Sequence, residues 1–228
     1  MKPYYDHGGI TIYHGDCREI LSAEGIRADL LCTDPPYGIG ASHAAHYGEG
    51  VKCHRTGIVK GKAIQKRNYG DSSWDDAPPD AELIALIRSC APHQIIFGGN
   101  YFVLPPSKCW LVWDKLRGDT QFADCELAWT NFNRSVRRIA YKWNGFLVDP
   151  GSKDVRVHPT QKPLTVMRWA IAQAPADCKA VLDPFMGSGT TLEAAKLMGL
   201  SAVGIEREER HCESAAIRLS QETFALVE

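Results

Sequence analysis

The chain has 228 residues, which suffice for one large α/β core that needs no disulfide or metal ion to hold it together. Charged residues make up 23% and hydrophobic residues 44% of the chain, and the net charge of −1 excludes a global basic field, so any contact with a polyanion must come from a local patch. No apolar run reaches the roughly 20 residues that cross a bilayer, and the first residues lack the apolar segment of a signal peptide, so we expect a cytoplasmic protein without membrane contact.

The first elements follow the strand–helix order of α/β folds. Alternating apolar residues predict a strand at 10–13, and a short helix follows at 17–23 with Asp16 as its possible N-cap. The apolar run 28–33 predicts a buried strand. It ends in Asp34-Pro35-Pro36-Tyr37, which combines a carboxylate, two rigid residues and an aromatic ring.

Periodicity disappears between residues 38 and 76, where glycines and basic residues accumulate and acidic residues are nearly absent before Asp71. A loop of this length inside a compact domain is usually functional or disordered. Its positive charge suits contact with a phosphate backbone, although a merely solvated loop is an alternative. The candidate DNA contacts in this loop are Lys52, Arg55, Lys62, Lys66 and Arg67.

The middle of the chain predicts a helix at 78–90 and strands at 94–97, 109–113 and 126–129. Basic and aromatic residues then mix between 131 and 143. This composition fits a nucleic-acid contact surface, and it fits an amphipathic edge strand equally well. The candidate DNA contacts here are Arg134, Arg137 and Arg138.

The last third of the chain returns to alternating strands and helices. After the stretch His158-Pro159-Thr160-Gln161-Lys162-Pro163, a helix is predicted at 164–173 and a strand at 180–182. The strand leads into a glycine motif, Asp183-Pro184-Phe185-Met186-Gly187-Ser188-Gly189-Thr190-Thr191. A helix at 190–198, a strand at 201–205 ending in Glu206, and a final helix at 207–221 complete the pattern.

The eight cysteines are scattered singly, and no two of them form a C-x-x-C pair. Zinc sites usually contain such pairs, so we expect no metal site. Cys32 and Cys109 lie in apolar runs, which favours buried free thiols over disulfides.

The glycine motif has the parts of a nucleoside-binding unit: a strand, a Gly-x-Gly turn, a helix, and a second strand with an acidic end. Gly187 and Gly189 let the backbone approach a ligand, and Glu206 can accept hydrogen bonds from two ribose hydroxyls. A NAD site would use similar parts. The third glycine of the dinucleotide fingerprint and the lysine of the nucleotide-triphosphate loop are both missing, so a ribose ligand without a pyrophosphate, such as S-adenosylmethionine, fits better.

The Asp-Pro-Pro-Tyr stretch suits chemistry on the exocyclic amino group of a nucleobase. That nitrogen is a poor nucleophile until acceptors bind both of its N–H groups, and Asp34 can supply one acceptor. The backbone carbonyl of Pro35 can supply the other, held by the fixed φ of Pro35 and Pro36. Tyr37 offers a face on which an extruded base can stack. Methylation of cytosine C5 would require a Pro-Cys pair, which occurs nowhere in the chain.

On these motifs the chain resembles the DNA amino-methyltransferases, which modify adenine N6 or cytosine N4, in their permuted β class. The resemblance rests on Asp34–Tyr37, His158–Pro163 and Asp183–Thr191 with Glu206, and it spans nearly the whole chain. It implies a Rossmann-like class I α/β fold, with a mainly parallel seven-stranded sheet and helices on both faces, forming one domain over residues 1–228. It also implies S-adenosylmethionine as cofactor and DNA as partner.

The resemblance further assigns roles to residues. Asp16 would meet the adenine ring of the cofactor, Lys162 and its neighbours the methionine end, and Glu206 the ribose. Asp34 and Asp183 would lie at the carboxyl ends of adjacent strands, where open α/β sheets bind ligands. The residues expected around the cofactor are Asp16, Cys17, Asp34, Lys162, Pro163, Asp183, Pro184, Phe185, Gly187, Ser188, Gly189, Thr190, Glu206 and Arg207.

The chain departs from its family in size. Only residues 131–157 are available as a target-recognition segment, so specificity is expected to be short, relaxed or completed by a second subunit in a homodimer. Aspartate at position 34 favours adenine N6 by family habit and leaves cytosine N4 open. A nicotinamide-dependent oxidoreductase and a non-catalytic DNA-binding module are more remote alternatives.

Overall fold

The computed structural model describes residues 1–39, 75, 77–117, 123–144, 147, 148 and 161–221. The basic loop therefore lies almost wholly outside the described residues, as do His158, Pro159 and Thr160. The same is true of five candidate DNA contacts, Lys52, Arg55, Lys62, Lys66 and Arg67.

Strands and helices alternate near both ends of the chain, whereas the middle is rich in strands. In chain order the described elements are β1 (Tyr5–His7), β2 (Ile10–His14), α1 (Cys17–Glu24), β3 (Leu30–Thr33), α2 (Ala81–Ser89), β4 (His93–Phe97), a 3₁₀ turn (Gly99–Tyr101), β5 (Trp110–Asp114), β6 (Cys125–Thr130), β7 (Arg137–Ala140), β8 (Trp143–Asn144), β9 (Leu147–Val148), α3 (Leu164–Ile171), β10 (Ala180–Asp183), α4 (Thr190–Leu197), β11 (Ser201–Glu206) and α5 (Glu209–Ser220).

The main sheet has nine described strands in the order β1-β2-β11-β10-β3-β4-β6-β5-β7. Five neighbouring pairs are parallel and three are antiparallel, which confirms a mainly parallel α/β sheet. The expected count of seven strands was too low. At one edge, β1 folds back on β2 through Gly8-Gly9, whose positive φ angles suit a tight hairpin turn, and at the other edge β7 adds to β5. The pair β8 and β9 forms a separate hairpin.

Helices cover both faces of the sheet, as predicted. Side chains of α1 and α2 pack with Leu31 and Leu182 on one face, and side chains of α3, α4 and α5 pack with Leu30 and Val181 on the other. Successive residues of a strand point to opposite faces, so one apolar run serves both cores. The four residues of β3 are accordingly all buried.

The order of the strands reverses between β3 and β10. These two strands are parallel neighbours, with Leu30 beside Val181 and Leu31 beside Leu182. The chain leaves β3 toward β4 on one side and leaves β10 toward β11 on the other. Such a switch point opens a crevice at the carboxyl ends of the strands, and the residues that follow Thr33 and Leu182 lie at its edge.

The described cysteines are all free thiols, and Cys125 is the exposed one among them. Cys32 and Cys109 are fully buried, as predicted. None of the described helices is long and apolar enough to span a bilayer. Within the same ranges, no group of three or more His, Cys, Asp and Glu side chains is placed to hold a metal ion.

Candidate active site

A cavity of about 250 Å³ lies over the switch point, at the carboxyl ends of β10 and β11. It is lined by every residue expected around the cofactor except Pro163 and Gly189. The structure therefore brings together residues from the two ends of the chain. The lining residues that the sequence did not identify as cofactor contacts are Gly15, Pro36, Gln161, Met167, Met186, Thr191, Ile205, Glu208, Arg210 and His211.

Pro163 and Gly189 have structural positions outside the cavity lining. Pro163 is buried at the N-cap of α3. Gly189 has a φ of 78° at the N-cap of α4, and a Cβ there would lie 2.8 Å from the Cβ of Ala215. Glycine is thus required at 189 for the packing of α5, and the approach of its backbone to a ligand stays a prediction.

Gly187 does leave open space beside the cavity. Its φ is 51°, and no described atom lies within 4 Å of the position that a Cβ would occupy. Its N–H donates to Oε2 of Glu206 at 3.0 Å. The turn after β10 is therefore fixed by the acidic end of β11.

Glu206 is held as an anion at the rim of this turn. Burial alone would raise the pKa of its carboxyl, but hydrogen bonds from His211 and from the N–H groups of Glu208 and Gly187 outweigh burial and lower that pKa. The Glu208 N–H donates to Oε1 at 2.8 Å. Each carboxylate oxygen has a second lone pair, so Glu206 keeps the capacity to accept from a ligand.

Asp183 ends β10 in a fully buried position. Its Oδ1 accepts from Thr33 Oγ1 at 2.7 Å and from the Phe185 N–H at 3.1 Å. Burial raises the pKa of this carboxyl to about 6, with hydrogen bonds from Thr191, Thr33 and Phe185 opposing the rise. Asp183 thereby ties β3, β10 and the glycine motif into one unit beneath the cavity.

Asp16 and Cys17 close the cavity from the start of α1. Asp16 caps the helix, accepting from the Arg18 N–H at 2.7 Å, and it also lines the cavity. Its capping and ligand-binding interpretations are therefore compatible. Burial raises the pKa of the Cys17 thiol to about 12, so this residue contributes a neutral and inert wall.

The carboxylate of Asp34 is engaged on both oxygens. Its Oδ1 accepts from the Tyr37 hydroxyl at 2.6 Å, and its Oδ2 accepts from Lys162 Nζ at 2.5 Å. Lys162 Nζ lies 3.2 Å from the Tyr37 hydroxyl and 3.1 Å from Oε2 of Glu126. Lys162, predicted to meet the cofactor, thus also joins the Asp-Pro-Pro-Tyr motif.

Glu126 and Lys115 belong to this cluster and were not identified from the sequence. Glu126 lies on β6, and Lys115, which follows β5, forms an ion pair with it. The only sequence signal was a carboxylate inside the otherwise apolar Cys-Glu-Leu-Ala-Trp-Thr strand. Such a residue usually has a buried cationic partner, but nothing in the pattern shows which one.

Burial and charge pull the pKa values of the cluster in different directions. Burial raises the pKa of Asp34, with Glu126 adding to the rise and Lys162 opposing it. Burial alone would lower the pKa of Lys162, but Asp34 and Glu126 raise it well above its usual range. Lys162 and Lys115 overcome burial at Glu126 and lower its pKa to about 2. Lys162 therefore stays protonated and positively charged, and Glu126 stays ionised and negatively charged.

The ring of Tyr37 packs against the turn that follows β4. It stacks on Tyr101 with the centroids 4.9 Å apart and the planes 14° from parallel, and Phe102 meets it edge-on at 6.3 Å. A Cβ on Gly98 would lie 2.1 Å from a ring carbon of Tyr37. Tyr101 is half exposed and already occupies a face of the ring that was predicted to stack on a base.

Gly98→Ala is therefore expected to destabilise the protein beyond the usual cost of a positive φ. That conformation costs an alanine about 1–2 kcal/mol, and the clash with Tyr37 adds to it. Gly199→Ala is the matched control, because Gly199 has a φ of 72° with no described atom within 4 Å of its Cβ position. Urea unfolding of both variants measures the difference. Equal losses of unfolding free energy would contradict the packing of the Tyr37 ring against Gly98.

The described candidate DNA contacts differ in their surroundings. Arg134 is half-buried and donates to the backbone carbonyl and the side chain of Gln173, so it connects the segment after β6 to the end of α3. Arg137 is exposed on β7. Arg138 is also exposed and lies 3.5 Å from Asp114. Arg134 therefore has a structural role that its basic–aromatic setting did not indicate.

Comparison with known proteins gives concordant matches. The model of an N6/N4 family described as DNA methylase matches residues 98–217, just over half of the chain. The type II methyltransferase M2.DpnII of Streptococcus pneumoniae is 38% identical over 256 residues, covering 97% of this chain and 93% of its own.

Two solved structures show a similar fold at low sequence identity. The M1.HpyAVI–SAM complex has a TM-score of 0.55 and 21% identity, covering 93% of this chain and 100% of its own. The cytosine-N4-specific PvuII DNA methyltransferase has a TM-score of 0.56 and 14% identity, covering 98% and 91%. At these identities both structures support the Rossmann-like class I architecture and nothing finer.

Proposed function

This chain belongs to the N6/N4 DNA methylase family, and we propose that it transfers a methyl group from S-adenosylmethionine to N6 of adenine in DNA. One observation carries the proposal: Asp34 and Pro36 line the same cavity as Gly187 and Glu206. An acceptor for an amino group thus lies beside a nucleoside-binding turn. Cytosine N4 is the alternative target, because it presents the same kind of amino group.

The residues around the cavity fit S-adenosylmethionine. Glu206 is an anchored anion with remaining acceptor capacity for ribose hydroxyls, and Gly187 leaves open space where a Cβ would otherwise lie. Asp16, at the start of α1, lines the cavity and is proposed to contact the adenine end. Bound here, S-adenosylmethionine supplies a methyl group made electrophilic by its sulfonium charge.

The protein's own groups then act on the target amine. Asp34 accepts a hydrogen bond from one N–H, and the backbone carbonyl of Pro35 accepts from the other, which directs the nitrogen lone pair out of the ring plane. Because burial raises the pKa of Asp34, its carboxylate is a stronger base than an ordinary aspartate and suits this acceptor role. Holding the amine in line with the methyl group makes the transfer effectively intramolecular. Formation of the N–C bond would break the bond between the methyl carbon and the sulfonium sulfur and release one amine proton, which Asp34 would accept.

Tyr37 is proposed to stack on the extruded base. Its hydroxyl is fixed by Asp34, so the ring and the carboxylate are oriented together. Since Tyr101 covers a face of this ring, the base is expected to extend or replace that stack. Aromatic stacking of this kind tolerates any base, and selection of an amino group falls to Asp34 and Pro35.

Recognition of a DNA sequence is proposed for surfaces away from the cavity. Exposed Arg137 and Arg138, the loop cations outside the described residues, and the segment 131–157 are the candidates. By its likeness to a type II methyltransferase, the chain is proposed to act in restriction–modification. A homodimer would enlarge the short recognition segment.

The test is to incubate the protein with unmethylated DNA and S-adenosylmethionine carrying a deuterated methyl group, then to separate the digested nucleosides by mass spectrometry. Deuterated N6-methyladenine is expected. N4-methylcytosine would establish the alternative target, and the absence of any labelled nucleoside would favour a non-catalytic DNA-binding module. Modified-base sequencing of the same DNA would identify the recognition site.

A further inference from the structure

We propose that Glu126 is a positioning residue for Asp34: it holds Lys162 between two carboxylates, so that Asp34 keeps one orientation and remains a strong acceptor for the target amine. The proposal deepens the proposed methyl transfer and rests on it. Glu126 does not line the cavity, so it would act on the chemistry through its ion pair with Lys162 and through the direct effect of its charge on Asp34.

The geometry is a continuous row of alternating charges, which we call the ion-pair chain: Lys115, Glu126, Lys162 and Asp34. It joins the ends of β5, β6 and β3 to the segment before α3. Lys162 Nζ donates a hydrogen bond to Asp34 Oδ2 at 2.5 Å and lies 3.1 Å from Glu126 Oε2, so one ammonium group forms an ion pair with each carboxylate and a hydrogen bond with that of Asp34.

The members of the ion-pair chain are largely withdrawn from water. The exposed fraction of the side chain is 8% for Lys162, 11% for Lys115, 24% for Glu126 and 26% for Asp34. Two cations and two anions balance, which is the condition under which such charges can remain buried. When one anion is removed, the neighbouring cation interacts more strongly with the anion that remains, because solvent screens these buried charges poorly.

Sharing Lys162 has a consequence for the reacting carboxylate. Without Glu126, the whole charge of Lys162 would be directed at Asp34, which would become a weaker acceptor and would be held more tightly by the ammonium group. Among the described residues, the charged and titratable groups that face Asp34 are Lys162, Glu126, Tyr37, Asp183 and Cys32. Of these, Glu126 can be changed without altering the cavity wall or the Asp-Pro-Pro-Tyr motif.

The first test measures the pKa of Asp34 in the free protein, by NMR titration of ¹³Cγ-labelled aspartates with the signal assigned through Asp34→Asn. Glu126→Gln removes a negative charge and is expected to lower the pKa of Asp34. Lys162→Gln removes a positive charge and is expected to raise it. An Asp34 pKa that is unchanged in Glu126→Gln would overturn the proposal.

The second test measures single-turnover methyl transfer at saturating cofactor. Glu126→Gln is expected to lower the rate about tenfold in the otherwise native protein and by less than about twofold in the Lys162→Gln background, because most of its effect passes through Lys162 and the direct effect of its charge on Asp34 is the smaller part. Equal losses in both backgrounds would show a merely structural role and overturn the proposal. Cofactor affinity in Glu126→Gln is expected to stay unchanged.

Two further variants control for poor folding and for the general loss of a carboxylate. Glu126→Asp keeps the charge but shortens the side chain, and an intermediate rate supports the proposal even if Glu126→Gln folds poorly. Glu82→Gln, on the exposed face of α2, is the control for loss of a carboxylate and should leave the rate unchanged. If the native protein transfers no methyl group, the proposed function fails, whereas the NMR titration still decides how Glu126 acts on Asp34.

Discussion

Asp34→Asn is expected to lower the rate of methyl transfer by at least about 10³-fold while changing the affinity for S-adenosylmethionine by less than about threefold. Asparagine keeps one oxygen, whose two lone pairs cannot accept from Tyr37, Lys162 and the target amine together, and its NH₂ group would point a donor at another donor. The loss of charge also leaves Lys162 with Glu126 as its remaining carboxylate in the ion-pair chain. Both changes weaken the acceptor that binds the reacting amine, and neither removes a proposed contact to the ribose or adenine of the cofactor.

The rate is measured in a single turnover with labelled cofactor, and the affinity by calorimetry without DNA. Asp6→Asn is the control, because Asp6 is an exposed aspartate on the edge strand β1. A variant that loses cofactor binding as strongly as activity would contradict the assignment of Asp34 to the amine. In the native protein the rate is expected to fall as the pH drops through the pKa of Asp34, since the acceptor must be ionised.

The sequence predicted those site residues that lie at the end of a strand. Asp34, Asp183 and Glu206 each follow or terminate a short apolar run, and parallel strands bring such ends to one edge of a sheet. Local pattern therefore predicted these strand ends, and the family resemblance supplied their meeting at one edge of the sheet and the helices on both faces. The polar strand β1 escaped detection because its pairing depends on a glycine turn and not on apolar alternation.

The interior of the site was beyond sequence reasoning, since it depends on contacts between distant segments. Lys162 and Asp34 are separated by 128 positions, and Glu126 comes from a third element. The stacking of Tyr101 on Tyr37 depends on the shape of the Gly98 turn. Charge and aromatic character could be read at each position, but the choice of partner is made by tertiary packing.

At Gly189, too, tertiary packing decides what the sequence pattern leaves open. A Gly-x-Gly pattern suggests that both glycines face the ligand, yet only Gly187 lines the cavity, and Gly189 admits the side chain of Ala215 from α5. The pattern describes where a backbone needs freedom, and it does not say whether a ligand or a neighbouring helix occupies the space.

Glu206→Gln is expected to weaken binding of S-adenosylmethionine by about 10- to 100-fold, the range for losing one or two charge-assisted hydrogen bonds. The amide would offer a single acceptor oxygen, so it could not accept from the N–H groups of Gly187 and Glu208 and also serve both ribose hydroxyls. The turn after β10 would lose part of its anchor at the same time, which adds to the loss.

Calorimetry with S-adenosylhomocysteine alongside S-adenosylmethionine separates nucleoside contacts from those to the sulfonium group, and the proposed ribose contact predicts equal losses for both ligands. Glu213→Gln, exposed on α5, provides the matched control. At saturating cofactor the variant should recover most of the native transfer rate, because Asp34 and the ion-pair chain are untouched. An affinity within about twofold of native would instead place the ribose elsewhere in the cavity.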